Sequence, residues 1–138
     1  TNGSNVSLTS TTTYHEIVSV AITPKYRTSK IYIHAHFNSR EDSNIGASWV
    51  VVKVERCASG EALNAGTNID AEMYIHDANG LNFDDSIFGF SHVLIDTDHS
   101  AETAYPLTYR YAAHPNYSGT WIAQRASGIA VFEIVPGK

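Results

Sequence analysis

The most constraining feature of the sequence is an alternation of apolar and polar residues with a period of two, repeated in short segments along most of the chain. Side chains of a β-strand point alternately to its two faces, so such a segment predicts a strand with one buried face. Ile31 and Ile33, for example, share one face of their segment, and His34 lies on the other. No window of about eleven or more residues carries a helical stripe. The sequence therefore predicts a chain built from strands.

Turn signals separate these segments at intervals of about 8–12 residues, the spacing expected of sandwiches and barrels. Thr23-Pro24 ends one segment because proline cannot donate to a β-ladder, and Asn79-Gly80 is a strong tight-turn pair. The predicted strands cover residues 14–22, 29–38, 48–57, 71–76, 86–95, 105–111, 121–123 and 128–136. We therefore predict an all-β fold, an antiparallel β-sandwich that is jelly-roll-like and has about eight or nine short strands.

The length of 138 residues suits one domain with a core of its own. We predict that residues 14–138 form this single β-sandwich domain. Residues 1–13 have neither a basic start nor an apolar run, so they predict a polar N-terminal lead or linker and not a signal peptide. Because no apolar run approaches about 18 residues, membrane insertion is not expected.

The balance of charge indicates the class of partner. Nine Lys and Arg against 14 Asp and Glu give a formal net charge of -5 at pH 7. Nucleic-acid-binding domains carry a basic stripe, so nucleic acid is not an expected partner. Only 17% of the residues are charged, and Ser, Thr, Asn and Tyr make up the polar remainder. An uncharged polar surface of this kind is typical of extracellular, viral and carbohydrate-contacting proteins.

Two histidines are candidate metal ligands. His34 and His36 lie two residues apart on one predicted strand, so their side chains share a face, and the string HAHFNSRE overlaps the first metal motif of cupins. Thr28 stands where the cupin pattern has glycine, and no third histidine lies in the expected context. A small cupin-type metalloprotein using His34 and His36 is therefore an alternative, while the favoured interpretation has no metal and no cofactor.

Carboxylates at predicted strand ends are a second candidate ion site. Asp84-Asp85 and the string Asp96-x-Asp98-His99 could supply oxygen ligands for calcium, but neither matches a known calcium loop. Aspartate is common at strand ends because it bonds to nearby backbone groups in turns. The sequence has no G-x-S-x-G elbow, no Walker loop and no G-x-G-x-x-G loop. We therefore predict a protein that is not an enzyme and has no catalytic residue.

The aromatic residues indicate contact surfaces. Eight Tyr and two Trp exceed what one small core needs, and such side chains suit both protein interfaces and sugar contacts. We predict receptor or glycan contacts at Tyr105, Tyr117 and Trp121, and a carbohydrate-binding, lectin-like module is an alternative function. Large side chains on strand faces without a covering sheet predict an oligomer interface formed by Tyr32, His34, His36, Trp49, Val51 and Lys53.

The order of several short motifs resembles one group of known proteins. A strand ends in Ile22-Thr23-Pro24, and Thr28-Ser29-Lys30-Ile31 opens the next strand. Later Trp121-Ile122-Ala123-Gln124-Arg125 is followed by a closing Ile129-x-Val131-x-Glu133-Ile134. Over residues 14–135 this order resembles the C-terminal and other virion domains of tail-fibre and structural proteins in phages of marine bacteria and cyanobacteria.

The resemblance implies a jelly-roll-like domain on the surface of a virion. It implies assembly as a homotrimer, with other virion proteins as partners and a host-surface glycan or protein as a further contact. The implied roles are a tail-fibre tip, a receptor-contacting knob or a capsid decoration. These relatives share no catalytic motif, so the resemblance assigns no catalytic residue to this chain.

Overall fold

The computed structural model of the chain describes residues 4–9, 12–41, 49–70, 73–76, 87–115, 121–124 and 126–135. The strands in this part of the chain are β1 (Val6–Leu8), β2 (His15–Ile22), β3 (Lys30–Glu41), β4 (Trp49–Cys57), β5 (Thr67–Asn68), β6 (Met73–His76), β7 (Ile87–Asp96), β8 (Leu107–Pro115), β9 (Trp121–Ala123) and β10 (Gly128–Ile134). A short 3-10 helix, His99–Ala101, lies between β7 and β8. Within the described ranges, no helix is long and apolar enough to cross a membrane.

The strands form two antiparallel five-stranded sheets, here named sheet A and sheet B. In sheet A, β7 pairs along one edge of β3, β10 and then β9 pair along its other edge, and β1 pairs with β9. Sheet B has the order β2, β8, β4, with β5 and β6 pairing one after the other along the far edge of β4. The chain crosses repeatedly between the sheets, as in a jelly roll. The predicted all-β antiparallel sandwich is confirmed.

Inward-facing side chains of both sheets form one core. Ile31, Ile33 and Phe37 of β3 are each at most 1% exposed. Val50 and Val52 of β4 are fully buried and belong to the same apolar cluster. The residues between them on each strand point away from this core, so the period of two seen in the sequence defines the faces of the sheets.

The N-terminal boundary differs from the prediction. Val6–Leu8 pairs with Trp121–Ala123 as β1, and Leu8 is fully buried in the core. Two apolar residues in a Ser- and Thr-rich stretch are too few to show a period, so the sequence pattern did not reveal this strand. The predicted polar lead of residues 1–13 thus contains an edge strand of sheet A.

The chain itself covers the outer face of sheet B along β4. Val51 and Lys53 alternate with the core residues of β4, yet they are only 2% and 6% exposed. Farther along the same face, the turn after β4 folds back over Glu55. The carboxylate oxygens of Glu55 accept hydrogen bonds from the backbone N–H groups of Asn64 at 3.0 Å and Gly66 at 2.6 Å. This face of β4 is therefore a second buried layer and not a free surface.

Candidate functional site

The outer face of sheet A is an exposed surface made by three neighbouring strands. Its side chains alternate along β7, β3 and β10 with the residues that pack into the core, and the strand register places them in rows across the sheet. The name "outer face of sheet A" denotes the residues Ser91, Val93, Ile95, Lys30, Tyr32, His34, His36, Gly128, Ala130, Phe132 and Ile134.

Apolar side chains dominate this face. Phe132 is 58% exposed, Val93 56%, Ile95 51% and Ile134 44%. The register aligns Ile95, Tyr32 and Phe132 in one row, and the rings of Tyr32 and Phe132 lie 6.3 Å apart between centroids. Single exposed apolar residues are common on protein surfaces, but a contiguous apolar patch marks an interaction site.

Three of the residues predicted from sequence for an interface belong to this face. His34 is exposed, and Tyr32 and His36 are half-buried. Nε2 of His36 donates a hydrogen bond to the carbonyl oxygen of Ala126, and the His36 ring fills the space above Gly128, where a Cβ would collide with it. His36 therefore holds the segment before β10, and His34 is the histidine that a partner can reach.

The other three residues predicted for the interface lie on β4 in sheet B. Val51 and Lys53 are buried, and Trp49 is half-buried. The Lys53 ammonium lies 4.3 Å from the centre of the Tyr14 ring and 3.7 Å from Oε2 of Glu55. A second copy could not reach Lys53 without displacing these contacts. Other segments of the same chain thus cover this face of sheet B. The residues that remain as candidates for the oligomer interface are Tyr32, His34 and His36 on the outer face of sheet A.

The aromatic residues predicted as receptor or glycan contacts do not form one exposed surface. Trp121 is 1% exposed and belongs to the core cluster, because it points inward from β9. Tyr105 is half-buried with a buried hydroxyl group, and Tyr117 lies outside the described residues. Trp121 therefore offers no face to a sugar.

A buried charge network closes one end of the core, at the ends of β4 and β7. Arg56 and Asp96 are 4% and 3% exposed. Nη1 of Arg56 donates to both carboxylate oxygens of Asp96 at 2.8 Å, and Nε donates to Oε1 of Glu102 at 2.9 Å. The hydroxyl of Tyr109 donates to Oδ2 of Asp96 at 2.7 Å. Sequence alternation places Arg56 on the core face of β4, but only the fold supplies its partners.

The contacts within the network determine the protonation states of the Asp96 carboxyl and the Tyr109 hydroxyl. Burial by itself would raise the pKa of the Asp96 carboxyl, but hydrogen bonds from Arg56, the Asp98 backbone and Tyr109 hold that pKa below its usual value. Burial raises the pKa of the Tyr109 hydroxyl, and the bond to the Asp96 carboxylate raises it further. At neutral pH the network is therefore an ion pair with a neutral phenol bonded to it.

An open cavity of about 210 Å³ lies beside this network, between β5 and the end of β7. Its lining is mainly polar, with two isoleucines. The lining residues are Arg56, Thr67, Asn68, Ile69, Ile95, Asp96, Thr97 and Asp98. The sequence pattern did not reveal this cavity, because β5 has only two residues and pairs at the far end of β4.

The described residues contain no group of three or more His, Cys, Asp or Glu placed to hold a metal ion. In the string Asp96-x-Asp98-His99, both oxygens of Asp96 already accept hydrogen bonds within the chain, and Nε2 of His99 donates to the carbonyl oxygen of Ser29 at 2.9 Å. Asp84-Asp85 lies outside the described residues. Asp96 and Nε2 of His99 therefore have structural partners, whereas the carboxylate of Asp98 is exposed.

The single cysteine is buried. Desolvation raises the pKa of the Cys57 thiol to about 11, and the charge of Glu55 acts in the same direction. Although Arg56 is its neighbour in sequence, the two side chains point to opposite faces of β4. Because a thiol must lose its proton to act as a nucleophile, Cys57 is an unreactive structural residue.

Acid should destabilise the domain through His92. This side chain is 5% exposed, with ring centroids 4.3 Å from Phe90 and 5.5 Å from Tyr111. Burial lowers its pKa, although the charge of Asp70 opposes the shift. The unfolded chain therefore binds the proton more readily than the folded one, and stability falls as the pH drops below about 6.5. Thermal melts at pH 7.5 and pH 5.5 test this prediction. The melting temperature should fall less between the two pH values for His92→Gln than for the wild type.

The matched control for this prediction is His34→Gln, which removes an exposed histidine from the same sheet, with the variants also compared in the Phe132→Asp background so that assembly does not affect the melts. In that background the melting temperature of His34→Gln should fall as much on acidification as that of Phe132→Asp alone. Equal losses of melting temperature in the wild type and His92→Gln would contradict a role of His92 in the acid response.

Two features of the described residues are suited to contact a partner: the apolar outer face of sheet A and the polar cavity beside Arg56. No protein-family model matches the chain, and no curated protein matches it in sequence. These two features and the order of the sequence motifs are therefore the basis for a functional proposal.

Proposed function

We propose that the chain is a non-enzymatic structural domain of a phage particle, a tail-fibre tip, knob or capsid decoration that assembles as a homotrimer at the virion surface. The observation that carries the assembly is the exposed apolar outer face of sheet A. The motif order from Ile22-Thr23-Pro24 to Ile129-x-Val131-x-Glu133-Ile134 supplies the phage context. Other virion proteins are the further partners of such a domain.

The size of the outer face of sheet A suits a small contact between subunits. It is three strands wide and spans residues 30–36 along β3. With strands about 4.8 Å apart and about 3.3 Å per residue, this corresponds to about 300 Å² of flat sheet per copy. Burying the face of three copies gives about 900 Å² shared among three pairwise contacts, or about 300 Å² for each contact, which is well below the roughly 1,000 Å² of a specific pairwise interface. The trimer should therefore dissociate on dilution.

The charge distribution favours further copies of the same chain as the occupant of this face. Lys30 at its edge is the only Lys, Arg, Asp or Glu among its residues, whereas the whole chain carries a net charge of -5. Copies that meet through this face bury Phe132 and Val93 without desolvating a carboxylate. The face is therefore suited to contact other copies of the chain.

The edge of β7 away from β3 supports the same assembly. Among the described strands, β7 pairs only with β3, so no described strand covers the other edge of this ten-residue strand. Proteins protect such edges with lysine, proline or bulges, and the sequence of β7 contains neither lysine nor proline. Because β7 also carries Val93 and Ile95, a neighbouring copy would cover its edge and its outer side chains together.

Replacing Phe132 with aspartate should convert the trimer to a monomer. The side chain is 58% exposed in the single chain, so its loss should leave the fold intact while placing a charge at the centre of the contact. Mass photometry should report about three times 15.1 kDa for the wild type and about 15.1 kDa for Phe132→Asp at equal concentration. The matched control is Ala21→Asp, which places the same charge on an exposed position of sheet B.

A wild type that stays monomeric at every usable concentration would rule out the trimer. A Phe132→Asp variant that stays trimeric would move the interface away from the outer face of sheet A. The viral part of the proposal is tested separately, since it predicts that tail or capsid genes flank the gene of this protein.

A further inference from the structure

We propose that the cavity beside Arg56 binds one ring of a neutral saccharide. This adds a ligand-binding activity to the proposed function, and of the residues that line the cavity only Ile95 also belongs to the outer face of sheet A. The cavity lies at the end of the sandwich where the charge network closes the core. Its lining comes from three separate segments: the end of β4, the segment 67–69 and the segment 95–98. Concave sites with a few converging polar groups are the usual form of small-molecule sites.

The charge network forms the floor of the cavity. Its polar groups are already bonded to one another, so they are not free to bind a ligand. Both oxygens of Asp96 are occupied by Nη1 of Arg56, and they also accept from the Tyr109 hydroxyl and from the Asp98 backbone N–H at 3.0 Å. Nε of Arg56 is held by Glu102. These contacts fix the shape of the floor, so polar groups at the rim must make the hydrogen bonds to a ligand.

Asp98 provides the carboxylate at the rim. It occupies the N-cap position of the 3-10 helix His99–Ala101, yet its side chain makes no capping hydrogen bond. An N-cap aspartate ordinarily accepts a hydrogen bond from a backbone N–H of its helix. Asp98 is exposed instead, and its carboxylate oxygens are available to sugar hydroxyl groups.

Thr67 and Ile69 complete the complementarity to a sugar ring. Thr67 pairs with Arg56 in the register of β5 and β4, so its side chain lies on the same face of sheet B as the guanidinium group. Ile69 is half-buried and supplies the apolar part of the lining, whereas Ile95 borders the cavity at the end of β7 and its side chain is 51% exposed on the outer face of sheet A. A sugar ring has a rim of hydroxyl groups and a face of C–H groups, which match the polar rim of the cavity and Ile69 respectively.

The charges and the volume exclude other ligand classes. A bound calcium ion takes about six to eight oxygen ligands, and the described residues contain no cluster of that kind. An anion would meet the carboxylate of Asp98, while Arg56 is already paired with Asp96 and Glu102. The volume of about 210 Å³ is below the roughly 300–1,000 Å³ of sites for drug-sized ligands, so it suits a single ring.

The test is saturation-transfer NMR of the full chain with glucose, galactose, mannose and N-acetylglucosamine, followed by a glycan array. We expect the wild type to bind at least one of these sugars. Thr67→Val removes a hydroxyl group at constant shape and Asp98→Asn removes a charge, and each should weaken binding by about tenfold or more. Thr23→Val, at an exposed threonine that follows β2 and does not line the cavity, should bind like the wild type.

Thermal melts of each variant separate loss of binding from loss of fold. No binding by folded wild type on the array or at tens of millimolar sugar would overturn the proposal. Binding that survives unchanged in both Thr67→Val and Asp98→Asn would overturn the assignment to this cavity. Phe132→Asp should bind sugar as the wild type does, so failure of the trimer and failure of the sugar site give different results.

Discussion

Asp96→Ala should lower the free energy of unfolding by about 3–5 kcal/mol, because it leaves Nη1 of the buried Arg56 guanidinium without its carboxylate partner, with only the contact of Nε to Glu102 remaining. Tyr109 would lose its acceptor in the same step. Domains of this kind are stable by only about 5–15 kcal/mol, so the loss is a large part of the total. Urea unfolding followed by circular dichroism measures the change. A loss below about 1 kcal/mol, as expected for an exposed ion pair, would contradict the role of the network.

The origin of this loss can be separated by a double variant. Arg56→Met with Asp96→Leu removes both charges, and replacing a whole buried pair with apolar side chains is often close to neutral. We therefore expect the double variant to be more stable than Asp96→Ala. A double variant as unstable as the single one would indicate that shape, and not the unpaired charge, causes the loss.

The same network predicts a pH dependence with a defined sign. The pKa of Asp96 is lowered in the folded chain, so the unfolded state binds its proton more readily. The stability that Asp96 contributes is present above its ordinary pKa of about 3.9 and is lost as the pH falls below that value. The difference in stability between the wild type and Asp96→Ala should therefore shrink in acid.

Trp121→Ala should lower the free energy of unfolding by about 3–5 kcal/mol, the range for truncating a large buried aromatic residue. The side chain is 1% exposed, and its strand pairs with β1, where Leu8 is the register partner of Trp121. We expect a cavity in the core and early loss of β1, which urea unfolding and hydrogen exchange at residues 6–8 would detect. The matched control is Tyr26→Ala, an exposed aromatic residue outside the outer face of sheet A whose truncation should cost less than about 1 kcal/mol.

This prediction also distinguishes two roles of Trp121. If the residue were a glycan contact, Trp121→Ala would keep its stability and lose only sugar binding. A variant as stable as the wild type would contradict the packing of Trp121 between the sheets.

Local periodicity was sufficient to predict which side of β3 and β4 faces the core, whereas β7 and β10 carry apolar residues on both faces and their alternation did not indicate the inward one. Ile31 and Val50 are buried where the alternation places them, because the direction of a side chain depends only on its place along the strand. The alternation also placed Val51 and Lys53 correctly on the opposite face. It could not show that this face is covered, because the cover comes from residues outside the strand, including the turn that bonds to Glu55.

The candidate site depended more heavily on the tertiary structure. Tyr32 and His34 could be assigned to an uncovered face from the sequence, but Phe132 and Ile95 join them only because β10 and β7 pair with β3. The cavity needs β5 and the end of β7 to meet at the same end of the sandwich. No pattern within either segment contains that information.

The sequence by itself determined the class of fold, since a repeated period of two with frequent turns leaves little besides an antiparallel sandwich. Only the tertiary structure decided which charges and surfaces act together. Arg56 and Asp96 are forty residues apart in the chain, and their pairing follows from the crossing between the two sheets. Periodicity is a local property of the backbone, whereas the neighbours of a side chain across a core are set by the order of strands in both sheets.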